Sequence, residues 1–387
     1  MAFSQVQAGH SVDVLSFDDV SGGGFFELPE GVPWIRLDAE WMFRSGTKPP
    51  WRWRTILTGS MRRLGLMRSY TFNALGWHLT GRPIVKRVEE YLNYRKPDVV
   101  VTFKIEPLEI LVSARPRYHV QRIAWMHGNP EKELRYCEPT LFGYRGVLRD
   151  RALKTFDLIC VLLDRYKPLY PPEIQARIRV IPNIVRHSRY RFPWHQRPPL
   201  VIAAGSFAPV KRFDLLIEAW AQVASVCPEW KLEIWGDGAL RDHYDSLIEA
   251  CGVRSSVSLP GRGSDIDQIF GRAQLLVHPA SYEGFGLVIA EALARGVPVM
   301  GFSDCSGVNH LIQDGLNGVL VVPGANVVKS LSSAMIQALT HREVLKSLSQ
   351  NTVQSVAEYT AEASVARWQR AFQELGLPET TKAREFS

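Results

Sequence analysis

Cysteine is scarce in this 387-residue chain, and its placement excludes the chemistry it usually signals. The five cysteines (137, 160, 227, 251 and 305) are an odd count without a Cys-x-x-Cys pair. That pattern argues against a disulfide framework and leaves reduced thiols of a cytoplasmic protein as the reading. No cluster of histidine and cysteine has zinc-ligand spacing, so no metal site is expected. Long apolar runs are missing as well: no stretch nears the roughly 20 apolar residues of a membrane span. Met1-Ala-Phe-Ser-Gln-Val-Gln-Ala lacks the basic start and apolar core of a secretory leader. No Gly-x-Gly-x-x-Gly stands at a strand-to-helix turn, which argues against a nicotinamide cofactor, and there is no Walker A loop.

What is present is a globular balance, with 46% hydrophobic and 22% charged residues. The length favours two domains over one. The net charge of +7 is unevenly spread, because residues 41–96 hold twelve Arg/Lys against Glu89 and Glu90. Within that segment, Trp51-Arg-Trp-Arg54 and Met61-Arg-Arg-Leu-Gly-Leu-Met-Arg68 interleave arginines with bulky apolar groups. The mixture over 41–68 suits the headgroup zone of an anionic membrane. A solvated loop whose tryptophans pack on the domain is the plainer alternative. Nucleic acid is set aside, since no nucleic-acid fold signature accompanies the charge.

Apolar runs alternate with amphipathic stretches for most of the length, which predicts an α/β protein of parallel sheets covered by helices. Strands are expected at 12–17, 98–102, 122–126, 157–161 and 179–183. Phe192-Pro-Trp-His-Gln-Arg-Pro-Pro199 reads as a linker. The alternation restarts with strands at 200–204, 231–235, 256–259, 274–277, 298–301 and 318–322. Two doubly wound domains facing across a cleft are predicted, over residues 1–191 and 199–358. A last helix at 360–375, with Trp368, Phe372 and Leu375 at helical spacing, is expected to pack back on the first domain. Residues after Pro378 are polar and expected to fray. Met1 to Gly9 reads as the tail of a helix. A doubly wound domain begins with a strand and a Gly-rich turn before such a helix. The reading adopted is a chain shortened at its N-terminus.

The most informative run is Glu283-Gly-Phe-Gly-Leu-Val-Ile-Ala-Glu291, which follows the apolar strand segment Leu275-Leu-Val-His-Pro-Ala280. Gly284 and Gly286 make a tight turn, and a helix opens at Leu287. Such a turn aims backbone N–H groups outward at the positive end of a helix dipole, which suits a phosphate. One carboxylate precedes the turn and one lies a helical turn inside, so the two can reach different parts of one ligand. Gly205-Ser-Phe-Ala-Pro-Val-Lys-Arg212 follows the first strand of the second domain, and Lys211 there can neutralise a diphosphate. Read alone, Lys211 is equally a solvated surface lysine. Gly236-Asp-Gly238 is another tight turn at a strand end. His127 ends a first-domain strand, where a histidine is either structural or catalytic. Asp265-Ile-Asp267 matches a metal-binding Asp-x-Asp, but helix capping explains it better.

Together these pieces resemble the retaining glycosyltransferases of family 4 (glycosyl transferases group 1), which have the two-domain GT-B fold. The similarity covers about Gly9 to Leu375 and is strongest from 199 to 323. Its most specific element is Pro279-Ala-Ser-Tyr-Glu-Gly-Phe-Gly-Leu-Val-Ile-Ala-Glu291. Around it stand Gly205…Lys211, Gly236-Asp-Gly238, Leu259-Pro-Gly-Arg262, Gly296-Val-Pro-Val299 and Asp314-Gly-Leu-Asn-Gly318. The resemblance implies that Glu283 bonds the donor sugar near the reacting carbon and Glu291 holds the ribose hydroxyls. It implies that amides around Phe285, Gly286 and Leu287 bind the donor diphosphate with Lys211. Arg262 is implied to contact the base through its backbone, and His127 to lie beside the donor sugar. Gly205, Arg212, Gly236 and Gly238 complete the implied donor site. No metal and no cofactor is implied, because the nucleotide-sugar is a substrate.

Three departures stand out. Ser206 replaces the arginine usual in the family's Gly-Arg-Leu motif, with Arg212 where glycine follows the lysine. His310 stands where a glutamate is common. The usual first strand and its Gly-rich loop are not seen. The function expected is transfer of a sugar, with retained configuration, from a nucleotide-diphosphate donor, UDP before GDP. The acceptor implied is a glycan or lipid-linked glycan in surface polysaccharide assembly, at the inner face of the membrane. A non-catalytic nucleotide-sugar binder or scaffold subunit is the alternative, and a GT-B epimerase or phosphorylase a third.

Overall fold

The computed structural model describes residues 5–6, 9–16, 31–36, 82–103, 105–130, 152–188 and 192–377. The basic segment 41–68, Cys137 and the polar end after 377 lie outside the described residues. In chain order the strands are β1 (Val14–Ser16), β2 (Trp34–Arg36), β3 (Val99–Phe103), β4 (Gln121–Met126), β5 (Leu158–Val161) and β6 (Ile178–Val180). They continue with β7 (Leu200–Ala204), β8 (Lys231–Trp235), β9 (Val257–Gly261), β10 (Leu275–His278), β11 (Val299–Phe302) and β12 (Gly318–Val321). The helices are α1 (Arg82–Arg95), α2 (Ile105–Ser113), α3 (Pro172–Gln175), α4 (Phe213–Val226), α5 (Arg241–Ala250) and α6 (Ile266–Gly271). After them come α7 (Leu287–Leu293), α8 (Val327–Thr340), α9 (Arg342–Asn351) and α10 (Ala361–Glu374). Among the described residues no helix is long and apolar enough to cross a membrane.

The chain divides into two compact units, Met1–Pro182 with Ala361–Ser387, and Asn183–Thr360. In the first, β3, β4, β5 and β6 lie side by side in a parallel sheet. β1 and β2 form a separate parallel pair. β2 has no counterpart among the strands expected from sequence. β1 is tied to α1 through Asp13, whose carboxylate accepts from Arg95 at 2.9 and 3.1 Å and from the Tyr91 hydroxyl. The last helix of the chain completes this unit: Trp368 of α10 meets Trp125 of β4 edge to face, 5.1 Å between centroids. Glu374 pairs with Arg179 at 2.7 Å. Trp125 itself donates to the Ile181 carbonyl at 3.0 Å.

The second unit is a six-stranded parallel sheet in the order β9-β8-β7-β10-β11-β12. The order reverses direction between β7 and β10, which makes it doubly wound, and ligands of such sheets bind beyond the strands' carboxyl ends at that switch. β7, β10 and β11 are buried along their whole length. This is why they read as continuous apolar runs: helices cover both faces. Trp220 of α4 is fully buried and donates to the Ser256 hydroxyl at 3.1 Å. Trp230 is buried with the Arg342 guanidinium 5.6 Å from its ring centroid.

The carboxyl ends of β7, β8 and β9 are laced together by backbone. Gly205 N–H donates to Trp235 O at 3.0 Å, and Gly236 N–H to Gly261 O at 2.8 Å. Gly236 has φ +143°, and a Cβ there would stand 1.9 Å from the Gly205 carbonyl oxygen. Only glycine permits that approach. Gly252 also has a positive φ, +68°, but nothing lies within 4 Å of its would-be Cβ. Gly236→Ala is therefore expected to lower stability by about 2–4 kcal/mol, through strain plus collision. Gly252→Ala should lose only about 1 kcal/mol, the cost of the left-handed backbone. Chemical denaturation of both variants measures the difference.

Candidate active site

The site is built where β10 stops. His278 is its last residue, and Pro279 forces the chain into a loop that carries Glu283. Gly286 has φ +86° and caps α7, its carbonyl accepting from Ala290 N–H at 3.0 Å. From the neighbouring strand, β7, the chain runs through a short 3-10 turn, Pro209–Lys211. That turn is pinned to the loop by Ser281 N–H, which donates to Val210 O at 3.0 Å. The pinning brings residues 72 positions apart together: Lys211 Nζ forms an ion pair with Glu283 Oε1. His278 Nε2 lies 2.8 Å from the same oxygen. A carboxylate only accepts, so Nε2 is the donor.

The loop after β11 closes on Glu283 from behind. A Cβ on Gly307 would stand 2.5 Å from the Glu283 carbonyl oxygen, so the two backbones are in direct contact. In that loop Val308 N–H donates to the Cys305 carbonyl at 3.0 Å, and the Cys305 thiol is buried. Burial pushes that thiol up to about 11, so Cys305 is no nucleophile. The two glutamates differ in electrostatics. Burial by itself would raise Glu283, but the bond to His278, then the charge of Lys211, outweigh it and bring the carboxyl down to about 2. Glu291, on α7, is raised by burial, with Arg295 and Arg186 opposing only in part. One carboxylate is thus held as an anion that accepts hydrogen bonds, while the other is shifted toward its neutral form. Environments that separate two carboxyls in this way assign them different tasks.

The remaining expected residues are placed as follows. Gly205 and Gly236 belong to the lacing of strand ends, and a Cβ on Gly238 would meet the Phe207 carbonyl oxygen at 2.8 Å. Arg212 is left-handed, φ +54°, and its guanidinium lies 5.2 Å from the Phe302 ring centroid. Phe285 is buried edge-on to Tyr359 at 5.2 Å, while Leu287 is exposed. Arg262 is exposed just after β9, and Ser206 is exposed too. His310 is exposed and lies 3.1 Å from the Tyr359 hydroxyl. His127 belongs to the first unit, where its ring is 4.3 Å from Trp125 and 5.4 Å from Phe103. Asp265 caps α6 by accepting from Gln268 N–H at 3.0 Å, and Asp267 pairs with Arg295 at 2.7 Å. Both carboxylates of that Asp-x-Asp are therefore engaged structurally. His278, Cys305 and Gly307 were not among the expected site residues. His278 closes an otherwise apolar strand five residues before Glu283, but its contact with Glu283 is made around a loop.

Comparison with known proteins places this geometry in context. The family model described as "Glycosyl transferases group 1" matches residues 186–355. An exopolysaccharide phosphotransferase of Streptomyces coelicolor is 29% identical over 57% of this chain. The GtfA subunit of a UDP-N-acetylglucosamine–peptide N-acetylglucosaminyltransferase from Streptococcus gordonii is 30% identical over 52% of it. The alignments span 23% and 40% of those two relatives' own lengths. Among solved structures, sucrose-phosphate synthase from Thermosynechococcus elongatus superposes with a TM-score of 0.74 at 19% identity. That match covers 97% of this chain and 91% of the synthase, which establishes a shared fold.

The low value at Glu283 has a stability consequence. A carboxyl depressed from 4.5 to about 2 contributes stability that is fully present above 4.5 and lost as the pH falls toward 2. Glu283→Gln lacks this contribution. The stability gap between wild type and Glu283→Gln should stay constant from pH 7 to about 5, then narrow below about 4.5. Denaturant unfolding at a series of pH values checks this, and a gap independent of pH would contradict it.

Proposed function

Residues 186–355 being a glycosyl transferases group 1 domain in a chain of GT-B fold, we propose that the protein is a retaining glycosyltransferase using a nucleotide-diphosphate sugar, UDP before GDP. The observation that carries the proposal is the convergence of Lys211, Glu283 and His278 at the β7–β10 switch, within the matched segment. The name of the S. gordonii relative supports UDP, and that of the S. coelicolor relative supports an exopolysaccharide setting. The acceptor in this reading is a glycan or lipid-linked glycan, met on the cytoplasmic face of a membrane. Retention of configuration, family 4 membership and independence of metal belong to the same reading.

Lys211 carries a positive charge that can meet a departing diphosphate. Glu283, fixed as an anion, faces the sugar and accepts from its hydroxyls while positive charge develops at the anomeric carbon. The bond from that carbon to the diphosphate oxygen breaks, a bond to the acceptor hydroxyl oxygen forms on the same face, and that hydroxyl's proton passes to the departing diphosphate. Glu291, on α7, is the carboxyl that meets the ribose hydroxyls in this reading, accepting from them. Amides of Phe285, Gly286 and Leu287, with Gly205, Arg212, Gly236, Gly238 and the backbone at Arg262, complete the donor site in this reading.

Calorimetric titration with UDP, GDP and ADP, followed by donor-sugar turnover, tests it. UDP is expected to bind tightest, and Lys211→Ala to weaken it about 10- to 100-fold, as expected for a charge-assisted contact. Glu283→Gln should leave UDP binding intact while lowering turnover about 100-fold. Binding without turnover of any donor would favour a nucleotide-sugar binder instead, and binding of none of the three nucleotides would overturn both readings.

A further inference from the structure

His278 is 1% exposed, and its ring has one described hydrogen bond, to Glu283. Its other nitrogen, Nδ1, is buried without a partner among the described residues. A buried imidazole ordinarily secures both nitrogens. Here the ring's hydrogen bonding is directed at Glu283 alone, on the oxygen that Lys211 also holds. Glu283 is itself only 16% exposed, so it tolerates no interval without a partner.

These two facts set a competition. A diphosphate at this site would draw the Lys211 ammonium, and every shift of that ammonium toward phosphate weakens its hold on Glu283. If Lys211 were the sole partner, anion binding would strand a buried carboxylate, and much of the attraction would be cancelled. We propose that His278 is a positioning residue that keeps Glu283 satisfied while Lys211 is shared with the donor diphosphate, so that binding the leaving group and orienting the catalytic carboxylate do not oppose each other. The proposal rests on the reading of this site as a nucleotide-diphosphate-sugar site. It goes beyond that reading by assigning His278, which touches neither leaving group nor sugar, an energetic part in donor binding.

The test is a double-mutant cycle read by UDP affinity, independent of turnover. His278→Met removes the donor at similar length, and His278→Gln retains an amide donor where Nε2 stands. His278→Met is expected to raise the Kd for UDP about 10-fold, the scale of one lost charge-assisted bond. His278→Gln should remain within about 3-fold of wild type. In the Glu283→Gln background, which leaves no buried charge to satisfy, His278→Met should change the Kd less than about 2-fold. A merely structural histidine would weaken binding equally in both backgrounds, or equally as Met and Gln, and either result overturns the proposal. So does an unchanged Kd in His278→Met. Should that variant fail to fold, His278→Asn, whose shorter amide falls short of Glu283, takes its place. A wild-type chain that binds none of UDP, GDP and ADP refutes the functional reading itself, an outcome distinct from failure of the cycle.

Discussion

A carboxylate withdrawn from water has to be compensated within hydrogen-bond reach, and Lys211 and His278 both contribute to that at one oxygen of Glu283. Each partner comes from a different piece of chain. His278 is the last residue of β10, and Lys211 ends the turn after β7. Because β7 and β10 are neighbours on either side of the switch in strand order, the charge requirement can be met only if the doubly wound sheet is formed in this order. The local electrostatics and the global topology therefore specify one another.

Backbone contacts enforce the same arrangement without charge. Ser281 binds the carbonyl of Val210, and Gly307 lies against the carbonyl of Glu283. The loops after β7, β10 and β11 are thus tied together at their backbones, so the Glu283 carboxylate is aimed by the sheet rather than by side-chain choice. On the far side of the switch, Gly205, Trp235, Gly236 and Gly261 perform the equivalent lacing for β7, β8 and β9. A site held by backbone on both flanks is rigid at the place where a reacting centre needs fixed dipoles.

Much of this was legible in the sequence. The strands of the second unit read directly, since burial on both faces turns each into a short continuous apolar run, such as Leu200-Val-Ile-Ala-Ala204. The Gly286 turn and the helix from Leu287 followed from glycine and apolar periodicity. β2 was not among the strands read from the sequence. Nor was the role of His278 legible: its significance lies in a contact with Glu283 made around a loop, and a histidine at the end of an apolar run carries no local mark of that. Gly307 was invisible for the same reason, its role being set by a loop from another strand. Patterns along a chain report elements, whereas contacts between loop ends are decided by strand order.

The two glutamates show how one short motif yields two chemistries. Glu283 precedes the turn and emerges between two donors, so its charge is favoured despite burial. Glu291 is inside α7, where burial dominates and Arg295 is largely committed elsewhere, to Asp267 and to the backbone carbonyls of Arg186 and Glu291. The eight-residue spacing sets one carboxyl outside the helix and one inside it, and the difference in environment follows from that step alone. The side of Gly286 that each glutamate occupies thus sets the direction in which its environment shifts it.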